Sequence, residues 1–243
     1  AVIEAMTKAT KEMGDKKTFR GYAPEYGYDF TREAVSRHYS SFGVEVSADD
    51  IFVSDGAKCD VGNIVEILGD DPVYPVYLDS NIMSGRRIKF MEGNEANGFL
   101  PMPEENMEEG AVIYLCSPNN PTGAVYSKEK LRTWVDFANR KGSLIIYDSA
   151  YEAFIKDENL AHSIYEIEGA KTCAIEICSL SKTAGFTGTR CGWSVIPSEM
   201  KCGDTMVKSL WMRRQATKFN GVSYVVQRGA EAALSEEGIA QCM

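Results

Sequence analysis

The sequence predicts an α/β fold in which a mostly parallel central sheet is flanked by helices on both faces. Three short apolar runs, at residues 111–116, 143–148 and 172–178, alternate with stretches of helical periodicity. Fully apolar runs of this length are typical of strands that helices cover on both faces. Repeated β–α–β order with short connections favours a parallel sheet in an α-β-α sandwich.

The first third of the chain predicts helices around one short strand. Residues 1–13 place Val2, Met6 and Met13 broadly on one face of a helix, which Gly14 ends. Further elements are predicted at residues 31–42 (helix), 51–53 (strand) and 58–68 (helix).

The turn between that strand and helix, Ser54-Asp-Gly-Ala-Lys-Cys-Asp60, is of chemical interest. A strand, a glycine turn and a helix start place free backbone N–H groups and the positive helix end at one point, which suits a phosphate. Many α/β turns share this pattern without binding anything, so the turn carries weight only together with other residues.

The second half supplies the remaining strands and helices. Ser127 begins a predicted amphipathic helix that turns Leu131, Trp134 and Ala138 inward, and Gly142 ends it. Residues 85–110 are irregular and acidic. The last predicted elements are a strand at 192–196 and helices at 204–218 and 221–234.

Composition excludes several classes of protein. The 243 residues are 44% hydrophobic and 25% charged, as in ordinary globular domains. A net charge of −9 disfavours a nucleic-acid surface. No apolar run is long enough to span a membrane, and no secretory signal is visible. The seven cysteines predict free, mostly buried thiols in a reducing compartment, and only two histidines disfavour a metal site.

The loop Ser179-Leu-Ser-Lys-Thr-Ala-Gly-Phe-Thr-Gly-Thr-Arg190 lies between two apolar strands. An amine such as that of Lys182 forms an imine with an aldehyde, while a guanidinium such as that of Arg190 and nearby hydroxyls hold a phosphate. This combination suits pyridoxal phosphate. The alternative is an ordinary strand–loop–strand with an exposed lysine.

Three polar residues follow predicted strands: Asn120, Asp148 and Lys182. In a parallel sheet the carboxyl ends of the strands share one edge, where ligands bind. Asp148 would keep the pyridine nitrogen of such a cofactor protonated, and Asn120 with Tyr151 would donate to the ring oxygen. Lys182 would then act as the imine amine and as the base that moves the proton.

Tyr74 lies in a turn, Asp71-Pro-Val-Tyr-Pro, that enters a helix. A tyrosine on rigid backbone can stack on a planar ring. A buried core tyrosine explains the same pattern equally well.

These motifs together resemble the LL-diaminopimelate aminotransferase family, within the fold-type I aminotransferases that depend on pyridoxal phosphate. The resemblance covers essentially the whole chain. It rests on Ser54-Asp-Gly-Ala-Lys-Cys-Asp60, Asp71-Pro-x-Tyr-Pro75, Cys116-Ser-Pro-Asn-Asn-Pro-Thr-Gly123, Tyr147-Asp-Ser-Ala-Tyr151, Ser181-Lys-x-Ala-Gly-Phe-Thr-Gly-x-Arg190, Gly21-Tyr-x-x-Glu25 and Lys218-Phe-Asn-Gly221.

The resemblance implies a role for each matching residue. Lys182 is the Schiff-base lysine, and Asp148 and Tyr74 assist it at the cofactor ring. The cofactor contacts are expected from Ala57, Lys58, Tyr74, Asn120, Asp148, Tyr151, Ser179, Lys182 and Arg190, with Tyr22 arriving from a partner subunit. The substrate contacts are expected from Glu25, Lys58, Tyr74, Asn120 and Asn220.

The implied reaction is reversible amino transfer between LL-2,6-diaminopimelate and 2-oxoglutarate, giving tetrahydrodipicolinate, glutamate and water, in lysine biosynthesis. It also implies a homodimer with shared active sites that acts on amino-acid and 2-oxo-acid substrates. We expect a cytoplasmic protein, or one of the plastid stroma in a plant or alga. Another amino-acid aminotransferase, a β-lyase and an inactive cofactor-binding fragment remain as alternatives. A nucleotide-binding Rossmann protein is disfavoured, because no G-x-G-x-x-G follows the first strands.

The chain departs from that family in length. Residues 1–243 are expected to form the large cofactor-binding domain, with the C-terminal small domain, its carboxylate-binding arginine and the N-terminal arm largely absent. Only Gly69 and Asp70 separate a predicted helix from the Asp71-Pro turn, which leaves no room for a strand that the β–α–β order demands. Residues 86–98 also look compressed. We therefore expect a trimmed or joined subset of a longer chain, with Gly69 and Asp70 far apart.

Overall fold

Five strands form the central sheet of the computed structural model, which describes residues 1–67 and 75–242. They are β1 (Ile51–Ser54), β2 (Val112–Cys116), β3 (Leu144–Asp148), β4 (Ala174–Ser179) and β5 (Gly192–Val195). Their order across the sheet is β1-β5-β4-β3-β2. β3 is parallel to both β2 and β4, whereas β5 runs antiparallel to β4 and β1. The predicted mostly parallel sheet is confirmed.

Helices cover this sheet, and a two-stranded hairpin lies outside it. The helices are α1 (Val2–Met13), α2 (Asp29–Ser40), α3 (Ala57–Ile64), α4 (Pro75–Met83), α5 (Lys128–Lys141), α6 (Leu180–Thr183), α7 (Val207–Lys218), α8 (Tyr224–Ala233) and α9 (Glu236–Cys242). The hairpin pairs β6 (Lys201–Cys202) with β7 (Thr205–Met206).

Alternate residues of each strand enter two separate apolar cores. In β2, Ile113 and Leu115 belong to a core shared with α2, α5 and α8. Val112 and Tyr114 belong to a second core shared with α3, α4 and α7. Because successive side chains of a strand point to opposite faces, apolar residues on both faces require two helical layers. The structure is therefore the predicted α-β-α sandwich.

The amphipathic helix predicted after Ser127 is confirmed in detail. The Ser127 side chain accepts a hydrogen bond from the backbone N–H of Lys130, and Gly142 ends α5 in a left-handed conformation. Leu131, Trp134 and Ala138 are fully buried. This helix packs beneath β3 and fixes one side of the sheet edge at which β3 ends.

Two expected boundaries are wrong. α3 ends at Ile64 instead of continuing toward residue 68. The region expected as a helix from residue 204 begins with the β6–β7 hairpin, because Gly203 adopts a positive φ of 58° and allows a tight turn. The helix expected at residues 221–234 is confirmed as α8, and α9 is an additional helix that was not predicted.

Two expectations fall outside the residues that the structure describes. They are the junction at Gly69 and Asp70 and the position of Tyr74. Within residues 84–111, which are described, the only regular element is a short 3-10 turn at Glu95–Asn97, as the irregular sequence predicts.

Two further expectations concern the state of the cysteines and the presence of a membrane-spanning segment. All seven cysteines are free thiols, of which Cys173, Cys178 and Cys191 are buried and Cys202 is exposed. In the described part of the chain, no helix has the length and apolar character needed to cross a membrane.

Candidate active site

Lys182 lies just beyond the carboxyl end of β4, in the single turn of α6. Ser179 begins this turn, and its hydroxyl accepts a hydrogen bond from the backbone N–H of Ser181 at 3.1 Å. The Lys182 ammonium lies 5.6 Å from the ring centroid of Tyr151, which follows β3. Among the described residues Lys182 forms no ion pair, so its amine is available to a ligand.

Asp148 ends β3, the strand beside β4. Its carboxylate accepts a hydrogen bond from the Tyr77 hydroxyl at 2.7 Å and one from the backbone N–H of Ala150 at 3.0 Å. Burial raises the pKa of Asp148, while these two hydrogen bonds oppose the rise. A cation such as a protonated pyridine nitrogen would favour the ionised form of this carboxylate.

Asn120 belongs to the turn that follows β2, the next strand. Asn119 organises this turn by accepting a hydrogen bond from the Thr122 hydroxyl at 2.8 Å. Pro121 follows a cis peptide bond, and Asn120 itself is exposed. Since β2, β3 and β4 are adjacent and parallel, Asn120, Asp148 and Lys182 follow neighbouring strand ends along one edge of the sheet.

An anion pocket lies beside the lysine turn, where Gly56 approaches Ser179 and Arg190. A Cβ atom at Gly56 would lie 2.7 Å from Nη2 of Arg190 and 3.6 Å from the Ser179 hydroxyl. Arg190 donates to the Ser181 hydroxyl at 3.3 Å and forms no carboxylate ion pair with any described residue. Its backbone has a positive φ of 69°, which is uncommon for a residue with a side chain and is often found at functional sites.

The start of α3 completes this anion pocket. Gly56 precedes the helix without a side-chain cap. Among the described residues, the backbone N–H groups of Ala57 and Lys58 donate to no protein acceptor. Free N–H groups at a helix start, a guanidinium without a carboxylate partner among the described residues, and two serine hydroxyls form a donor set that suits phosphate. The pocket therefore fits the phosphate group of pyridoxal phosphate.

The Ser54–Asp60 hydrogen bond holds the turn that carries Gly56. The Ser54 hydroxyl donates to the Asp60 carboxylate at 2.6 Å, and the Gly56 N–H donates to the Ser54 hydroxyl at 3.3 Å. Burial raises the pKa of Asp60 to about 7, against the opposing effect of the Ser54 hydrogen bond. These bonds fix the backbone that faces Arg190.

The remaining predicted residues are Tyr22, Glu25 and Asn220. Tyr22 is 87% exposed. The loop of Glu25 packs closely against that of Asn220. A Cβ atom built on Gly221, the residue after Asn220, would lie only 2.5 Å from the Pro24 carbonyl oxygen. No hydrogen bond or ion pair among the described residues joins Glu25 or Asn220 to Lys182.

Sequence reasoning missed three contributors: Tyr77, Ser181 and Gly56. Tyr77 orients Asp148, Ser181 joins Ser179 to Arg190, and Gly56 gives Arg190 room. The second serine of the Ser-x-Ser-Lys sequence was a usable signal for Ser181. Nothing in the sequence around Tyr77 indicates a contact with a carboxylate 71 residues away.

Comparison with known proteins identifies the family. The sequence profile described as "Aminotransferase class I and II" matches residues 1–242. The chain belongs to this family. Class I and II aminotransferases use pyridoxal phosphate, and the donor set around Arg190 and Lys182 agrees with that chemistry.

Individual members of the family that resemble the chain are LL-diaminopimelate aminotransferases. Those of Agathobacter rectalis and Prochlorococcus marinus (strain NATL2A) are 51% and 55% identical to it, each over 99% of this chain. The structure of the L,L-diaminopimelate aminotransferase from Chlamydomonas reinhardtii matches with a TM-score of 0.88 and 39% identity, over 99% of this chain and 63% of that one. The chain spans 64% of the length of the two curated relatives.

Proposed function

We propose that this chain is the large cofactor-binding domain, residues 1–243, of an LL-diaminopimelate aminotransferase. The small domain and the N-terminal arm would lie largely outside it. The proposed reaction is reversible amino transfer between LL-2,6-diaminopimelate and 2-oxoglutarate in lysine biosynthesis. The observation that carries the proposal is the shared sheet edge, where Lys182, Asp148 and Asn120 follow three adjacent strands beside the Arg190 pocket. The identity of the proposed substrate comes from the names of the relatives, which are LL-diaminopimelate aminotransferases.

Each residue at this edge of the sheet would have a separate role toward the cofactor. When bound, pyridoxal phosphate supplies an electron sink for the substrate carbon. Arg190, Ser179 and the N–H groups of Ala57 and Lys58 would hold its phosphate. Asp148 would keep the ring nitrogen protonated, with Tyr77 holding the carboxylate in place. Lys182 would bind the cofactor aldehyde and, once released by substrate, move the proton at the substrate carbon.

Orientation and substrate choice would come from the surrounding residues. Asn120 and Tyr151 would face the ring oxygen, Tyr74 would stack on the ring, and Lys58, Tyr74 and Asn120 would also contact substrate. Glu25 would accept the distal ammonium of diaminopimelate, with Asn220 beside it. Tyr22 would reach the phosphate of the partner subunit in a homodimer. We expect the reaction in the cytoplasm, or in the plastid stroma of a plant or alga.

Visible absorption of the protein with pyridoxal phosphate tests the cofactor assignment. The wild-type chain should give a visible band that Lys182→Ala lacks, and borohydride should fix the cofactor to the peptide that contains Lys182. Lys208→Ala is the matched control, because Lys208 pairs with Asp50 at 2.7 Å and should leave the band unchanged. A band that survives Lys182→Ala contradicts the assignment of the reactive amine.

The substrate assignment is tested by adding amino acids to the loaded protein. LL-Diaminopimelate should remove the band, while aspartate, alanine, phenylalanine and cystathionine at the same concentration should not. Glu25→Gln should reduce the response to diaminopimelate without changing the band before its addition. If another amino acid removes the Lys182-dependent band and diaminopimelate does not, the proposed cofactor site stands and the proposed substrate is refuted.

A further inference from the structure

The Asp60 carboxylate is buried in the first turn of α3, beside the anion pocket. Its side chain is 0% exposed. One oxygen accepts the Ser54 hydroxyl at 2.6 Å, and the other, Oδ1, has no hydrogen-bond partner among the described residues. Asp60 also forms no ion pair within that part of the chain. A buried carboxylate with so few partners is costly to keep ionised.

Hydrogen bonds link Asp60 to both sides of Gly56, the residue that approaches Arg190. The Gly56 N–H donates to the Ser54 hydroxyl at 3.3 Å, and that hydroxyl donates to the Asp60 carboxylate. The Gly56 carbonyl accepts a hydrogen bond from the backbone N–H of Asp60 at 3.3 Å. Because of these bonds, the Asp60 side chain is held at a fixed position beside the anion pocket.

Charged and titratable groups reach Asp60 from the elements around it. They are Asp55 in the same turn, Cys59 on α3, Arg214 on α7 and Cys191 just before β5. Arg214 favours the ionised form of Asp60 and Asp55 opposes it, but Arg214 is itself paired with Glu66 at 3.0 Å. Burial raises the pKa of Cys59, and it raises the pKa of Cys191 to about 12, so both thiols are neutral near pH 7.

A dianion in the anion pocket would add two negative charges beside Asp55 and Asp60. Asp55 is partly exposed, so water can solvate its charge, whereas Asp60 is cut off from solvent. Like charges at close range raise the free energy of an ionised carboxylate. Addition of one proton from solvent converts the Asp60 carboxylate to the neutral acid and removes this repulsion.

We propose that Asp60 takes up a proton when a dianionic phosphate or sulfate occupies the anion pocket. This inference rests on the proposed phosphate site and deepens it, with Asp60 as a positioning residue that acts through Ser54 and Gly56. Since the neutral form of Asp60 binds the dianion more tightly, the affinity should rise as the pH falls. Burial raises the pKa of Asp60 to about 7, so this change falls near neutral pH.

Calorimetric titration of the 243-residue chain with sodium sulfate, at constant ionic strength, tests the proposal without cofactor or substrate. Sulfate keeps both of its charges between pH 6 and pH 9, so any proton taken up goes to the protein. Titrations in Bis-Tris and in Tris, two cationic buffers with different heats of protonation, count these protons. Wild type should take up about 0.4 proton per sulfate at pH 7, and its affinity should rise roughly five- to tenfold from pH 9 to pH 6.

Asp60→Asn and Glu176→Gln form a matched pair of variants. Glu176 is 1% exposed and burial raises its pKa to about 7, but it lies on the other face of the sheet, where it accepts the Tyr39 hydroxyl at 2.8 Å. Asp60→Asn should bind sulfate without proton uptake and with an affinity that does not vary with pH. Glu176→Gln should keep both wild-type responses. Equal proton uptake by wild type and Asp60→Asn overturns the proposal.

Arg190→Ala separates this inference from the proposed phosphate site. The substitution should remove saturable sulfate binding and proton uptake together. If sulfate binds to wild type through Arg190 without proton uptake, the role of Asp60 is refuted and the phosphate site stands. If wild type binds no sulfate, or Arg190→Ala binds it equally well, the phosphate site is refuted and this inference with it.

Infrared difference spectra of wild type give a second readout that does not depend on the folding of any variant. Addition of sulfate at pH 7 should produce the band of a protonated carboxyl group. The absence of this band at saturating sulfate would also refute proton uptake by Asp60.

Discussion

At the scale of single residues, the anion pocket depends on a residue that has no side chain. Gly56 has a φ of 115°, and its Cα faces the Arg190 guanidinium and the Ser179 hydroxyl. Any side chain there would displace Arg190 and occupy the space proposed for the phosphate. The proposed phosphate site therefore rests on the shape of the backbone as much as on the charge of Arg190.

Gly56→Ala should weaken binding of pyridoxal phosphate by roughly 10- to 100-fold, the effect of losing a charge-assisted hydrogen bond. The Cβ atom would lie 2.7 Å from the guanidinium and force it aside. Cofactor titration followed by absorbance measures the change, and inorganic phosphate should lose its ability to compete.

Gly85→Ala is the control for backbone strain. Gly85 also has a positive φ, of 78°, but its Cβ atom would meet nothing within 4 Å. Gly85→Ala should cost about 1 kcal/mol of unfolding free energy. Gly56→Ala should cost more, because its φ of 115° and ψ of 163° lie in a region that essentially only glycine adopts. If Gly85→Ala weakens cofactor binding as strongly as Gly56→Ala, the close approach to Arg190 is not the reason.

At the scale of elements, a buried ionic cluster ties the turn after β3 to α2. Glu152 follows Tyr151 in this turn. Its carboxylate is 2.6 Å from Nδ1 of His162 and 3.3 Å from Nε2 of His38, which belongs to α2. Burial by itself raises the pKa of Glu152, but the hydrogen bonds from the two imidazoles outweigh burial and lower it to about 2. The cluster thereby holds the turn that presents Tyr151.

Stability should depend on this cluster in a defined pH window. The pKa of Glu152 is lower in the folded chain, so its stabilisation is complete above its ordinary pKa and is lost as the pH falls toward about 2. From the shift we expect a contribution of about 3 kcal/mol near pH 7. The Glu152 hydrogen bond raises the pKa of His162, so the same stabilisation also declines at higher pH, as His162 loses its proton.

Urea unfolding of wild type and Glu152→Gln between pH 2 and pH 8 measures this contribution. The difference between the two curves should be largest near neutral pH and shrink steadily below pH 5. Glu158→Gln, which changes an exposed carboxylate in the next loop, should follow the wild-type curve. A difference that does not vary with pH would show that the ionised carboxylate is not the stabilising group.

At the scale of the whole molecule, the described residues show no hydrogen bond or ion pair from Tyr22, Glu25 or Asn220 to Lys182. Tyr22 is almost fully exposed, and the loop of Glu25 packs on the Asn220 loop without a hydrogen bond to Lys182. A second copy of the chain would give these residues a site to complete. The proposed homodimer therefore makes a prediction about mixed dimers.

Mixing Lys182→Ala with Tyr22→Ala chains should restore cofactor sites that neither variant has alone. In a mixed dimer one site has both an intact Lys182 and an intact Tyr22 from the partner. Random exchange makes about half of the dimers mixed, and one of the two sites in each mixed dimer is complete. The visible band should therefore reach about a quarter of the wild-type amplitude. The cofactor concentration is kept too low to saturate Tyr22→Ala. A mixture no stronger than the mean of its two components would show that Tyr22 acts within its own chain.

Local sequence was enough to predict most elements and their layering. The cap at Ser127, the end at Gly142 and the strand of β3 were all correct, because capping groups and apolar periodicity act within a few residues. The hairpin near Gly203 was missed, since two-residue strands give almost no periodic signal. The short extent of α3 was missed as well, because helix ends depend on packing.

The sequence by itself determined the chemistry proposed for this protein, and the tertiary structure decided its geometry. Lys182 and Asp148 could be chosen from residue type and position after strands, because parallel strands end at one edge, and Arg190 from its place in the loop that carries Lys182. Only the folded chain brought Tyr77 to Asp148 and Gly56 to Arg190, since these contacts join segments far apart in sequence. The order of the five described strands was also invisible before folding, because strand order across a sheet is set by long-range pairing and not by any local pattern.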